Sequence, residues 1–168
     1  MVWVRSEYAG ALSVISAWLC ALIPWNVTYS SGVAGGSLLF VRFPFFQVRY
    51  AWGIDIAQRV AISNPVSALS LQASQSIAVA YQAWVVGAAV LAIAVLFSFV
   101  YYAREAEVEA GPLDPVRLMG GLLGLTGVIL SAATYLLVTR GFPGIPLPLG
   151  VLVCFVLSGV LLTVERTE

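Results

Sequence analysis

Apolar residues run along this chain in four long blocks: Tyr8 to Trp25, Ile77 to Tyr102, Arg117 to Val138 and Leu147 to Val164. Each reads as an apolar helix. At about 1.5 Å per residue even the shorter blocks approach the roughly 30 Å of a bilayer's hydrocarbon core. The second block is longer than a bilayer needs, so it should tilt or protrude. Trp25 closes the first block, and Tyr101, Tyr102 and Arg104 close the second; these are residue types that anchor helix ends at a membrane interface. The first block leaves through Pro24-Trp25-Asn26, which offers no small-residue cleavage site, so it is expected to stay as a helix rather than be removed as a signal peptide.

Between the first two blocks, residues 26–76 behave differently. Ser30 to Gly36 is small and Gly-rich and reads as a turn region. The run Ser37 to Gly53 is interrupted by Arg42, Arg49 and Pro44, and a proline there breaks a helix. After Pro44 the pattern alternates. Phe46, Val48, Tyr50 and Trp52 point one way, and Phe45, Gln47, Arg49 and Ala51 the other, as in a half-buried extended segment. Leu38 to Phe43 can serve as its partner strand, although Phe43-Pro44-Phe45 is a poor tight turn. Ile54 to Ala61 is expected to form a helical turn or two, with Asp55 and Arg59 paired at i,i+4. Asn64-Pro65 is a helix start, Asn as cap and Pro at the first helical position.

Composition agrees with a lipid solvent. Of 168 residues, 61% are apolar and 10% charged, and the mean hydropathy is +0.97. Soluble domains carry about 25% charged residues. The formal net charge is zero, which argues against a nucleic-acid partner. Eight arginines are present with no lysine and no histidine, so the commonest general base and a common metal ligand are missing. No phosphate-binding loop, zinc-protease motif, nucleophile elbow or dinucleotide fingerprint occurs. Serines such as Ser131 and Ser158 have no obvious activating partner. Glu105, Glu107, Glu109 and Asp114 fall in a loop with turn signals but without the spacing of a calcium loop. Asn26-Val27-Thr28 is a formal glycosylation sequon beside the membrane. The expectation is a non-enzyme with no cofactor, no metal and no catalytic residue.

The fold class expected is an all-α membrane protein: a bundle of four transmembrane helices in a single domain, 1–168, with a long extended, aromatic extracytoplasmic loop between the first two. Helices pack in lipid through small residues. Ala9, Ser13, Ala17 and Ala21 mark such a face on the first block, Gly120, Gly124 and Gly127 on the third, and Gly150, Cys154 and Ser158 on the fourth. Cys20 and Cys154 fall at nearly equal depth, which predicts that the first and fourth helices are neighbours there. Arginines on the terminal side lie nearer to span ends than those on the other, so both termini are placed in the cytoplasm and the membrane is taken as the plasma membrane.

Pro24-Trp-Asn-Val-Thr-Tyr-Ser30 and Arg42-Phe-Pro-Phe-Phe-Gln-Val-Arg-Tyr-Ala-Trp-Gly53, after a start of Trp3-Val-Arg-Ser-Glu-Tyr-Ala9, resemble uncharacterised small multi-pass membrane proteins of halophilic archaea. The resemblance covers the N-terminal third. It implies an archaeal plasma membrane and brings no functional residue. The function expected is a scaffold or accessory subunit, contacting the bilayer and another membrane protein or itself through Arg42, Phe43, Phe45, Phe46, Arg49, Tyr50 and Trp52, because aromatic and arginine side chains dominate interface energetics. The alternative is a small transporter or channel subunit that works as an oligomer.

Overall fold

A computed structural model describes residues 2–55 and 58–167. It overturns the all-α four-span expectation. The fold is mixed α/β, and among the described residues two helices, not four, are long and apolar enough to cross a membrane. They are α3 (Ala78–Ala103) and α5 (Pro115–Thr139). The first and last apolar blocks give shorter helices, α1 (Ser6–Leu22) and α6 (Leu149–Thr163). Pro24 follows the one and Pro148 precedes the other, and proline does not continue a helix in either place. α5 packs between α3 and α6, and α1 lies against α3, α5 and α6.

Small residues set how closely these helices approach. Gly120, Gly124 and Gly127 all face α6: a Cβ on Gly124 comes within 2.7 Å of Ser158 Oγ, and one on Gly127 within 3.2 Å of the Phe155 ring. Ser158 Oγ donates to the Gly120 carbonyl (2.7 Å), tying the two helices where they touch. Ala17 is fully buried in the same core as Leu91, Met119, Leu123 and Leu161. Cys20 and Cys154 share that core with their thiols within hydrogen-bonding reach, so α1 and α6 do meet at that level. Ser13, Ser16, Thr126, Ser131 and Thr134 bond back to carbonyls of their own helices, which satisfies their hydroxyls locally.

The larger correction lies between α1 and α3. Residues read as an excursion form an antiparallel meander of β2 (Asn26–Val33), β3 (Gly36–Arg42), β4 (Gln47–Trp52) and β5 (Val60–Ser63). A fifth strand, β6 (Ile145–Leu147), joins β2 from the connection after α5, giving the order β5-β4-β3-β2-β6. The Phe43–Phe46 turn that looked unsuitable closes with a bond from Phe43 N–H to the Phe46 carbonyl (2.8 Å), the two rings stacked 4.5 Å apart. Residues 54, 55, 58 and 59 are irregular rather than helical, and Ala51 N–H bonds the Arg59 carbonyl to start β5; positions 56 and 57 of the expected helical turn lie outside the described residues. Asn64 does cap a helix, α2 (Pro65–Gln72), its side chain accepting from Ser67 N–H (2.8 Å). Asp114 caps α5 in the same way, and Glu105–Glu109, expected as loop, is the short helix α4. β1 (Val2–Arg5) and β7 (Val164–Thr167) pair in parallel, bringing the two ends of the chain together beyond the start of α1 and the end of α6.

Candidate interaction face

Strand geometry sorts the sheet's side chains into two faces. On the inner face the register lines up Asn26 with Arg42 and Gln47, and Thr28 with Phe40 and Arg49. This face meets the ends of α1 and α5 and the beginnings of α3 and α6. Trp84 Nε1 donates to the Pro44 carbonyl (2.9 Å), Gly150 N–H to the Pro24 carbonyl (3.0 Å), and Ser30 Oγ to the Pro143 carbonyl. Gly144, at φ +94°, makes this last approach feasible, because a Cβ there runs into the Tyr29 carbonyl.

Arg42 sits at the centre of the inner face and is 1% exposed. Nη1 donates to Asn26 Oδ1 (3.0 Å) and Thr28 Oγ1 (2.9 Å), and Nη2 to the Tyr81 hydroxyl at 3.4 Å. The Thr28 hydroxyl in turn donates to Asn26 Oδ1 (2.8 Å), so the two side chains hold each other in place for the guanidinium. The rings of Phe142, Phe40 and Tyr81 stand 4.4, 4.9 and 5.9 Å from its Cζ. The cation is thus held by neutral oxygens and ring faces, which suit a weakly hydrated guanidinium better than an ammonium. Burial lowers its pKa from the ordinary arginine value, and the Tyr81 hydroxyl opposes the shift. An arginine stays protonated nonetheless.

The outer face is of opposite character. One row across the strands reads Leu147, Val27, Val41, Val48, Ile62; the next reads Ile145, Tyr29, Leu39, Tyr50, Val60; a third holds Ser31, Ser37 and Trp52. No charged side chain interrupts these rows. Ile145 is 77% exposed, Ile62 71% and Tyr29 56%. Tyr50 and Trp52 stack at 6.1 Å, and the Tyr29 hydroxyl donates to Ser37 Oγ (3.1 Å), so the exposed aromatics are held in a fixed arrangement.

The residues expected to bind a partner therefore separate. Tyr50 and Trp52 lie on the outer face. Phe45 and Phe46 are exposed in the β3–β4 turn, and Phe43 is half-buried beneath Phe46. Arg49 is half-buried on the inner side. Arg42 offers no surface at all: its register with Asn26 turns it to the helix ends, and it is an organiser of the inner face rather than a contact residue. Val27, Tyr29, Leu39, Ile62 and Ile145 complete the face and were not anticipated. The alternation Asn26-Val-Thr-Tyr-Ser30 carries a period-two signal that marks two of them. Among the described residues no cluster of three or more His, Cys, Asp or Glu gathers for a metal.

Comparison with curated proteins returned no match. A family profile does match, over residues 2–166, nearly the whole chain including the sheet and every helix. On that match the chain belongs to the family of unknown function designated DUF7549.

Proposed function

We propose that this protein is a non-enzymatic membrane scaffold or accessory subunit that presents its outer sheet face to another polypeptide. The observation that carries the reading is the uncovered apolar face itself. Seven large apolar side chains on it are exposed: Tyr29, Tyr50, Trp52, Val60, Ile62, Ile145 and Leu147. Patches larger than a few hundred Å² are rare on monomeric soluble proteins and mark interaction sites.

The membrane part of the proposal rests on α3 and α5. Both helices leave many of their apolar side chains exposed, which favours a lipid-facing helix over the enclosed core helix of a soluble domain. Their outward residues include Val86, Ile93, Leu96, Phe99, Leu125 and Val128, while Gly87, Ala88, Ala94, Gly120 and Gly127 face inward. Large apolar residues outside and small ones inside suit a lipid solvent. Arg104 and Arg117 flank the α3–α5 connection, and the preference of such charges for the cytoplasmic side supports a reading with that connection and the chain termini in the cytoplasm and the sheet on the extracytoplasmic side of the plasma membrane. The archaeal resemblance of the N-terminal third is consistent with this setting. The alternative of a channel or transporter subunit gains no support from the helix interior, which Leu91, Met119, Leu123 and Leu161 fill.

Two experiments test the reading. With Ser31→Cys and Glu107→Cys in intact cells, an impermeant thiol reagent should label position 31 and spare position 107; labelling of position 107 from outside reverses the orientation. A photo-crosslinking phenylalanine analogue at Tyr50 should give a discrete protein adduct, whereas the same group at Tyr102, exposed at the opposite end of α3, should not. Adduct-free chains at position 50 would remove the docking function.

A further inference from the structure

Building on the reading of the outer sheet face as a docking surface, we propose that its occupant is a second copy of this chain, packed sheet to sheet about a two-fold axis. Three observations select this occupant.

The first is charge. The face consists of aliphatic, aromatic and serine side chains alone, so a partner recognised through complementary charge finds nothing to pair with. The partner surface must itself be apolar and uncharged. The same face on a second copy has that chemistry, and two-fold symmetry sets the patch against itself.

The second is area. The seven exposed side chains are 40–77% accessible. Taking the three aromatic side chains at roughly 150–250 Å² each and the four aliphatic ones at somewhat less, they present on the order of 600–800 Å². That is about what each partner contributes to a standard stable interface, roughly 800 Å². Two copies packed in this way enclose a layer of side chains between sheets about 10 Å apart, the arrangement of a β-sandwich.

The third is the state of the sheet's edges. β6 has three residues, one of them Pro146, which has no N–H to offer, and β5 has four. Short and proline-bearing edges do not template the addition of a further strand. Growth through backbone pairing is blocked at both sides, and the face is the surface left for association.

The test uses the full chain purified in mild detergent, with mass measured by light scattering corrected for bound detergent. The expected result is a dimer. Tyr50→Lys, which buries one cation from each copy in an apolar layer with no counter-charge, should weaken it by at least about tenfold. A nitroxide on Ser37→Cys reads the same geometry in an otherwise unaltered chain, so the proposal stays testable if Tyr50→Lys fails to fold. The native thiols are buried and leave this label specific. Two labels within roughly 25 Å of each other are expected, allowing for sheets about 10 Å apart and two flexible linkers.

A monomer in which the Ser37 label is shielded from water and open to lipid-soluble oxygen means that lipid covers the face, and overturns the proposal. A monomer whose position 50 crosslinks to a different protein overturns self-pairing while leaving the docking function standing. A monomer with a water-exposed face and no adduct overturns both.

Discussion

The two faces of the five-stranded sheet carry opposite chemistry to that of a sheet on a water-soluble protein. The inner face buries Asn26, Thr28, Ser30, Arg42 and Gln47. The outer face exposes valines, leucines, isoleucines, tyrosines and a tryptophan. In a soluble protein one face packs apolar residues on the core and the other carries polar residues to water. Here the buried side is polar because it must do specific electrostatic work. It receives helix ends, with backbone groups that a helix leaves unpaired, and Trp84, Gly150 and Ser30 make their bonds across this boundary. The exposed side is apolar, and among the described residues nothing covers it. The difference teaches that burial inside this chain and stability of the chain are one question, and the outer face is a separate one, belonging to whatever the sheet meets.

Substitutions on the two faces should therefore have unlike effects on stability. The largest is expected at Arg42. Arg42→Ala removes the guanidinium donor from Asn26 and Thr28, leaving only the Thr28–Asn26 bond between them, and opens a space under Phe40, Phe142 and Tyr81. The cost should be about 2–5 kcal/mol, as for a large-to-small change in a packed interior, with buried acceptors losing a donor besides. Thermal unfolding in detergent measures it. A loss below about 1 kcal/mol, the range of surface changes, breaks the assignment of Arg42 as organiser.

Gly124→Ala should come next. Its methyl sits 2.7 Å from Ser158 Oγ and displaces the hydroxyl from the Gly120 carbonyl. Overpacking at such a contact costs about 1–3 kcal/mol. Gly121→Ala on the same helix meets nothing within 4 Å and serves as the control, with no loss expected. Equal melting temperatures for the two variants would mean that α6 does not press on α5 at this glycine.

The smallest effect is expected on the outer face. Tyr50→Thr should change the stability of the isolated chain by less than about 0.5 kcal/mol, because little within the protein depends on that ring. A loss comparable with that of Arg42→Ala would show the outer face to be a structural lid, and would end the contrast between the two sides.

How much of this could be read from residues alone follows the range of the interactions. α3 and α5 were legible to within two residues at each end, because hydropathy acts locally; Asp114-Pro115, read as a turn in the acidic loop, is in fact the cap that starts α5 two residues early. The β3–β4 alternation was legible for the same reason. The sheet as a whole was not. β2 was hidden by its inward Asn26, Thr28 and Ser30, which look like loop residues until Arg42 is placed beside them. β6 is too short for any periodicity and exists because it pairs with β2 from the far side of two helices. The binding residues divided incorrectly at Arg42 because an arginine in an aromatic run looks like a surface anchor; its register with Asn26 is a tertiary fact.

The pairing of β2 with β6 also sets an order of events during synthesis. The Ser30 side chain meets Pro143, 113 residues later in the chain. The four-strand meander is complete in contacts as soon as Ser63 has emerged, whereas its β2 edge has no neighbour until α3 and α5 have both been made. For that interval the nascent chain carries an open strand of eight residues. Closing it requires α3 and α5 to bring the chain back beside β2, so formation of that helical hairpin and completion of the sheet form a single late step. An uncovered strand edge invites association with other chains. A defect that stalls the hairpin should then appear first as aggregation through β2, before any loss of helix content.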